Sequence, residues 1–144
     1  MSFVTRCFTP ADYLGARSLW ETTDGVGLSS ADEEHAILAY LARNPGLSFV
    51  AEDKGNIVGT ILVGHDGRRG LIHHLAVAAS HRRQGIAKSL LDAGIAALRE
   101  AQIEKCHLYV FEDNANGRAF WEAAGASRRV ELALYSLPVA APLS

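Results

Sequence analysis

Residues 82–88, Arg-Arg-Gln-Gly-Ile-Ala-Lys, bring two guanidinium groups, a glycine and an ammonium into one short stretch between two apolar runs. The run before it, Leu75-Ala76-Val77, has the character of a strand, and the run from Ile86 onward has helical spacing. A strand that passes through a basic, glycine-containing turn straight into a helix can present successive backbone N–H groups to one phosphorylated ligand. Gly85 removes a Cβ where a phosphate would press on the backbone, and Ala87 keeps the first helical turn thin. Arg82, Arg83, Gln84, Gly85, Ile86, Ala87 and Lys88 are therefore read as a cradle for two adjacent phosphates. The alternative for the same stretch is a capped helix with a glycine in its first turn. Neither Gly-x-Gly-x-x-Gly nor Gly-x-x-x-x-Gly-Lys-Ser/Thr occurs, so dinucleotide-fingerprint and P-loop readings fall away.

Two further groups have side chains suited to proton or charge chemistry. His73 and His74 stand just before the strand run, and strand alternation predicts that they face opposite sides, so that one at most enters a cleft. An imidazole there suits deprotonation of an ammonium through a water, against the alternative of a packed or surface histidine. The second group is acidic. Residues 18–42 hold five acids (21, 24, 32, 33, 34) and no Arg or Lys, whereas residues 67–91 hold five Arg or Lys (68, 69, 82, 83, 88) and no acid. A basic patch this local fits a compact anion, while a nucleic-acid surface wants a long basic stripe.

The elements that must position these residues follow from periodicity and punctuation. Phe3 to Phe8 reads as a strand, and Thr9-Pro10-Ala11-Asp12 as the capped start of a first helix running to Trp20. Gly25 and Gly27 break that pattern. Ser29 or Ser30 caps a second helix with acids 32, 33 and 34 in its first turn, and Asn44-Pro45-Gly46 closes it. Strands are expected over residues 47–52, 57–64 and 71–77, joined by turns at Lys54-Gly55 and Asp66-Gly67. A long helix follows over residues 84–100, then a strand over 104–111, a short helix over 114–124 and a last strand over 130–137. The order is β-α-α-β-β-β-α-β-α-β. It predicts an α/β sandwich with one mixed sheet in a single domain spanning residues 1–144.

Two segments together make the chain resemble the GCN5-related N-acetyltransferase (GNAT) superfamily. Arg82, Gly85 and Ala87 meet its acyl-CoA motif Arg/Gln-x-x-Gly-x-Gly/Ala. Residues 110–114 and 119–126 are similar to its strand, asparagine, short helix and Gly-Phe sequence. The resemblance covers about residues 3 to 137. It implies acetyl-CoA as cosubstrate, with the backbone of Leu75, Ala76 and Val77 pairing the pantetheine arm and the N–H groups of residues 83–88 holding the pyrophosphate. It implies that Asn114 helps hold the pantetheine, that the fourth and fifth strands splay apart around the thioester, and that an amine attacks directly with no acyl-enzyme and no metal. The family tyrosine that protonates the leaving thiolate falls at Trp121. An indole N–H is a donor but not a useful acid near neutral pH. Trp121 is then read as a wall of the cofactor channel with solvent as acid, and Tyr109 and Tyr135 are alternatives. Asp24, Asp32, Glu33 and Glu34 fall in the segment that commonly lines the acceptor side in this family and suit a cationic amine.

The expected activity is acetyl transfer to a primary amine of a small molecule, peptide or protein, with a non-catalytic acyl-CoA-binding or regulatory domain as the alternative. The composition is that of an ordinary globular chain: 49% hydrophobic residues, 21% charged and a net charge of -2. No apolar stretch is long enough for a membrane span, and no export signal is read at the N-terminus, so a cytoplasmic location without membrane or nucleic-acid partners is expected. Cys7 and Cys106 are expected as reduced, core-packed thiols. A monomer or a homodimer is expected, since a mixed sheet leaves edge strands.

Overall fold

The computed structural model describes residues 2–140, which fall into two bodies, one ending at Phe111 and one beginning at Glu112. The first carries a five-stranded sheet in the order β1-β2-β3-β4-β5. Strands β1 (Val4–Cys7), β2 (Phe49–Asp53), β3 (Asn56–His65) and β4 (Gly70–Val77) form an antiparallel meander. Strand β5 (Cys106–Leu108) lies parallel to β4 after the crossover through helix α3 (Ile86–Glu100). Helices α1 (Tyr13–Glu21) and α2 (Glu34–Arg43) precede β2.

Strand β3 sits between two helical layers, and its sequence says why. Residues 57–63 are almost continuously apolar, as a strand covered on both faces must be. Leu62 joins Trp20, Tyr13, Ala16 and Ile37 in the core beneath α1 and α2. On the opposite face, α3 approaches so closely that a Cβ on Gly59 would lie 2.8 Å from Ile86 Cγ2 and 3.0 Å from Leu90 Cδ1. Gly94 does the same from the helix side, where a Cβ would meet Val63 Cγ2 at 3.0 Å. The two glycines thus set how near the first turns of α3 come to the sheet.

Strand β4 carries one residue too many. Its pairing with β3 runs Val63↔Ile72 and Leu62↔His73, then resumes at Thr60↔Ala76, so two residues, 74 and 75, face Ile61 alone. His74 takes a left-handed conformation there, with φ +48°. The kink is tied down from the core: the Trp20 indole N–H donates to Thr60 Oγ1 (2.8 Å), and Thr60 Oγ1 donates to the His74 carbonyl (2.8 Å). This bulge overturns the expected alternation. His73 packs edge-on to Tyr40 of α2 (ring centroids 6.2 Å) and His74 edge-on to Trp20 of α1 (4.8 Å), so both imidazoles lie on the α1/α2 face. Sequence alternation holds only where the ladder is regular.

Other expectations shift at element ends. Residues 10–12 and 30–32 form single 3₁₀ turns, so α1 begins at Tyr13 and α2 at Glu34; Asp32 belongs to the turn capped by Ser29 rather than to α2. Strand β5 covers three residues instead of eight. No strand forms over residues 130–137. Their period-2 apolar side chains, including Val130, Leu132 and Leu134, are exposed, and alternation without a hydrogen-bonding neighbour does not make a strand. Cys7 is exposed at the end of edge strand β1 and only Cys106 is partly buried, so the thiols are free but not core-packed. In the second body, helix α4 (Ala115–Ala123) is capped by Asn114. No helix among the described residues is long and apolar enough to cross a membrane.

Two measurements test this packing. Gly59→Ala should lower unfolding free energy by about 1–3 kcal/mol in urea titrations, because Ile86 and Leu90 must move off the sheet. His73 provides a pH test. Burial, then the neighbouring His74 charge, hold its imidazole below the ordinary value of 6.5, against a pull from Asp32. The unfolded chain therefore binds this proton more readily than the folded one, and stability falls as pH drops below 6.5. His73→Gln should make the decline in stability on that side of neutrality shallower than in the wild type.

Candidate active site

The helix start that the sequence singles out is built by two left-handed residues. Arg83 has φ +64° and Gly85 φ +83°, and Gly85 is the N-cap of α3. A Cβ at Gly85 would meet nothing within 4 Å, so the glycine is required by its backbone angle and not by crowding within the protein. The first intrahelical bond runs from Ser89 N–H to the Gly85 carbonyl (3.0 Å), and no side chain caps the helix. The N–H groups of residues 85–88 thus precede the helix ladder and point along the positive end of its dipole. This is the donor set a pyrophosphate needs, and Arg82 and Arg83 stand exposed beside it.

The turn is fixed to the sheet behind it. His81 Nε2 lies 2.8 Å from Asp53 Oδ2 at the end of β2, and His81 Nδ1 lies 2.7 Å from Ser80 Oγ. The Ala78 N–H donates to the Val58 carbonyl (2.8 Å). The basic run seen in the sequence is not one patch. Arg68 and Arg69 lie in the β3–β4 turn, where their N–H groups donate to Asp66 Oδ1. The eight residues of β4 separate them from the cofactor turn by roughly 25 Å. Lys88 is paired with Asp92 one helical turn on (2.8 Å), so Arg82 and Arg83 are the turn's unpaired cations among the described residues.

The β4–β5 pairing stops at Ile72↔Leu108, although β4 continues to Val77. The bulge at residues 74 and 75 comes directly after His73, just past the last paired position. Leu75, Ala76 and Val77 consequently keep no β5 partner, and a strand edge lies open between the bulge and the phosphate turn. An extended polar chain can pair with such an edge through main-chain hydrogen bonds.

The bulge also assembles a group that no sequence spacing announces. Asp32 and His74 are 42 residues apart, yet His74 Nε2 lies 2.6 Å from Asp32 Oδ1. Asp32 Oδ2 accepts the Ser29 N–H (2.9 Å), while the Asp32 carbonyl accepts from Tyr13 Oη (2.7 Å) and Arg17 Nη1 (3.0 Å). Asp32 is buried and already committed, and so it is not one of a set of free acceptor-side acids. Asp24, Glu33 and Glu34 remain exposed. In the second body, Asn114 Oδ1 accepts the Gly117 N–H (2.9 Å), and Trp121 packs edge-on to Phe120 with ring centroids 5.2 Å apart.

Comparison with known proteins agrees with this geometry. The Acetyltransferase (GNAT) family model matches residues 15–126. An acetyltransferase of Pectobacterium atrosepticum is 37% identical over 109 residues, covering 76% of this chain and 77% of the relative. An acetyltransferase of Photorhabdus laumondii is likewise 37% identical, over 76% of both chains. Among solved structures, Ard1 from Thermoplasma volcanium superposes with a TM-score of 0.77 at 24% identity, covering 87% of this chain and 82% of that one. AAC(6')-Iy in complex with a bisubstrate analogue superposes at 0.75 and 16% identity, covering 96% and 100%. The family model covers most of the chain and the relatives are more than a third identical to it: the chain belongs to the GNAT family of acetyltransferases.

Proposed function

We propose that the protein transfers the acetyl group of acetyl-CoA directly to a primary amine. The observation that carries this reading is the continuous surface from the open edge at Leu75–Val77 to the uncapped N–H groups of residues 85–88. When bound, acetyl-CoA supplies an activated thioester whose acetyl carbon passes to the amine nitrogen as the C–S bond breaks. The chain's own contribution is placement. The turn from Arg82 to Lys88 binds the diphosphate end through backbone donors and two guanidinium groups. The backbone groups of the Leu75–Val77 segment that face away from β3, those of Ala76 being turned to Thr60, orient the pantetheine arm along β4, which brings the reactive end to the bulge. Neither cysteine is called on as a nucleophile. The CoA-bound form of the fold neighbour PaiA from Thermoplasma acidophilum supports the cosubstrate assignment.

The exposed carboxylates Asp24, Glu33 and Glu34 favour a cationic acceptor. Among the fold neighbours, AAC(6')-Iy is complexed with an acetylneamine analogue and another is a ribosomal-protein-S18-alanine N-acetyltransferase, so both small-molecule and protein amines suit this scaffold. Trp121, at the position where the family places a tyrosine acid, favours solvent as the proton donor to the thiolate. It is also the feature that keeps a non-catalytic acyl-CoA-binding reading in view. Asn114 spends its carbonyl oxygen on its own helix cap and keeps its amide N–H₂ free of that bond.

Thiol release from acetyl-CoA, followed across a panel of small amines and peptide N-termini with product mass, separates the two readings. The transferase reading expects release that depends on amine and a product heavier by one acetyl group. CoA binding with no amine-dependent release would establish the binding-domain alternative instead. Arg83→Ala should weaken CoA about tenfold in calorimetry, an effect that shrinks with added salt as expected for an exposed phosphate contact.

A further inference from the structure

We propose that Asp32 and His74 form a proton-accepting dyad, with His74 Nδ1 taking the acceptor's proton and Asp32 as the positioning residue that fixes the neutral ring's proton on Nε2 and so leaves the lone pair on Nδ1. The inference rests on the transferase reading and adds to it the base and its orientation. A carboxylate accepts hydrogen bonds and cannot donate, so the 2.6 Å contact requires the proton to sit on His74 Nε2. The neutral ring then carries its lone pair on Nδ1. Among the described residues that atom has no hydrogen-bond partner, and the one sealed, unpartnered side-chain polar atom there is Tyr40 Oη, so Nδ1 reaches solvent.

The position fits the task. His74 is the bulged residue itself, next to Leu75, where the open edge of β4 begins. Its ring is held from three sides: by Asp32 at Nε2, by the Trp20 ring at 4.8 Å, and through its carbonyl by Thr60 Oγ1 at 2.8 Å. The charged and titratable groups around the dyad are His73 on β4 (ring centroids 6.3 Å), Tyr13 and Arg17 on α1, both on the Asp32 carbonyl, and Tyr40 on α2 against His73. His73 is less suited to the same work, since burial holds its proton affinity down and its ring has no carboxylate partner. In the step itself, an N–H proton of the acceptor ammonium passes to Nδ1 and leaves a neutral amine. The amine nitrogen then bonds to the acetyl carbon as the C–S bond breaks and loses its second N–H proton to solvent, from which the departing thiolate takes one; the imidazolium, held beside the Asp32 carboxylate, returns its own proton to solvent.

Asp32→Asn makes the role measurable. The Ser29 N–H still needs an acceptor, so the carbonyl oxygen of the introduced amide turns toward it and the N–H₂ faces His74. Both hydrogen bonds survive while the tautomer inverts, placing the proton on Nδ1. Nitrogen-15 NMR of the histidine rings in the free protein should show Nε2–H at His74 in the wild type and Nδ1–H in D32N. With the best amine of the panel, D32N and His74→Gln should each lower kcat about 10²-fold, the order expected for loss of a general base, with the Kd for CoA unchanged. The double variant should be no slower than H74Q alone, because Asp32 acts through His74. An inverted tautomer at wild-type kcat, or losses that multiply in the double variant, would overturn the dyad while leaving the transferase reading intact. A wild type that acetylates no amine overturns the transferase reading and the dyad with it, whatever tautomer the NMR reports.

Discussion

Thr60 holds the site's geometry through a single oxygen. Its hydroxyl accepts the buried Trp20 indole N–H and donates to the carbonyl of His74, which links the core beneath α1 to the extra residue in β4. A bulge leaves backbone groups without ladder partners, and buried polar groups without partners are costly. Here the cost is offset by a side chain from the neighbouring strand and an indole that itself needs a partner. Most of the site depends on that extra residue. It falls just past the last position paired with β5, begins the open edge from Leu75 to Val77, and turns His74 to the face where Asp32 waits.

The phosphate turn depends on the same strand from its other end. β4 leads through Ala78, pinned to Val58, into a turn clamped by His81 and Asp53 and then into α3. Gly59 and Gly94 set the depth of α3 against β3. The distance between the uncapped helix start and the bulge is thus fixed by a rigid strand and a close-packed helix, and a cosubstrate that spans both is measured against them. A site assembled from regular elements in this way needs few side chains of its own, which fits a reaction whose main demand is placement.

The division between what the residues announce and what they conceal is physical. Local signals were legible. Arg82-x-x-Gly85 marked the turn, Ile86 to Leu98 marked α3, and the Lys54-Gly55 and Asp66-Gly67 turns marked the meander, because each depends on neighbours in the chain. The bulge was not legible, since one inserted residue leaves the composition of β4 unchanged and shows itself only in register with β3. That is why His73 and His74 were expected on opposite faces. The Asp32–His74 contact is hidden for the same reason: it joins a 3₁₀ turn to a bulge across 42 residues. The grouping of Arg68 and Arg69 with Arg82 and Arg83 fails because nearness along a sequence says nothing about a strand laid between them. The expected last strand over residues 130–137 failed because alternation reports a preference and not a partner.

Arg83 carries a side chain at φ +64°, where glycine or asparagine is more at ease. Such a residue in the left-handed region costs on the order of 1 kcal/mol, and strain of this kind concentrates where function demands it. The turn is therefore a point where stability and function select for different residues. Under selection for heat resistance alone, position 83 would drift toward glycine, relaxing the backbone and discarding a guanidinium. On the proposed reading of the turn, a thermostable descendant found in that way would keep the fold and weaken its hold on phosphate, so its gain in melting temperature would report the energy that the ancestor had committed to cosubstrate binding.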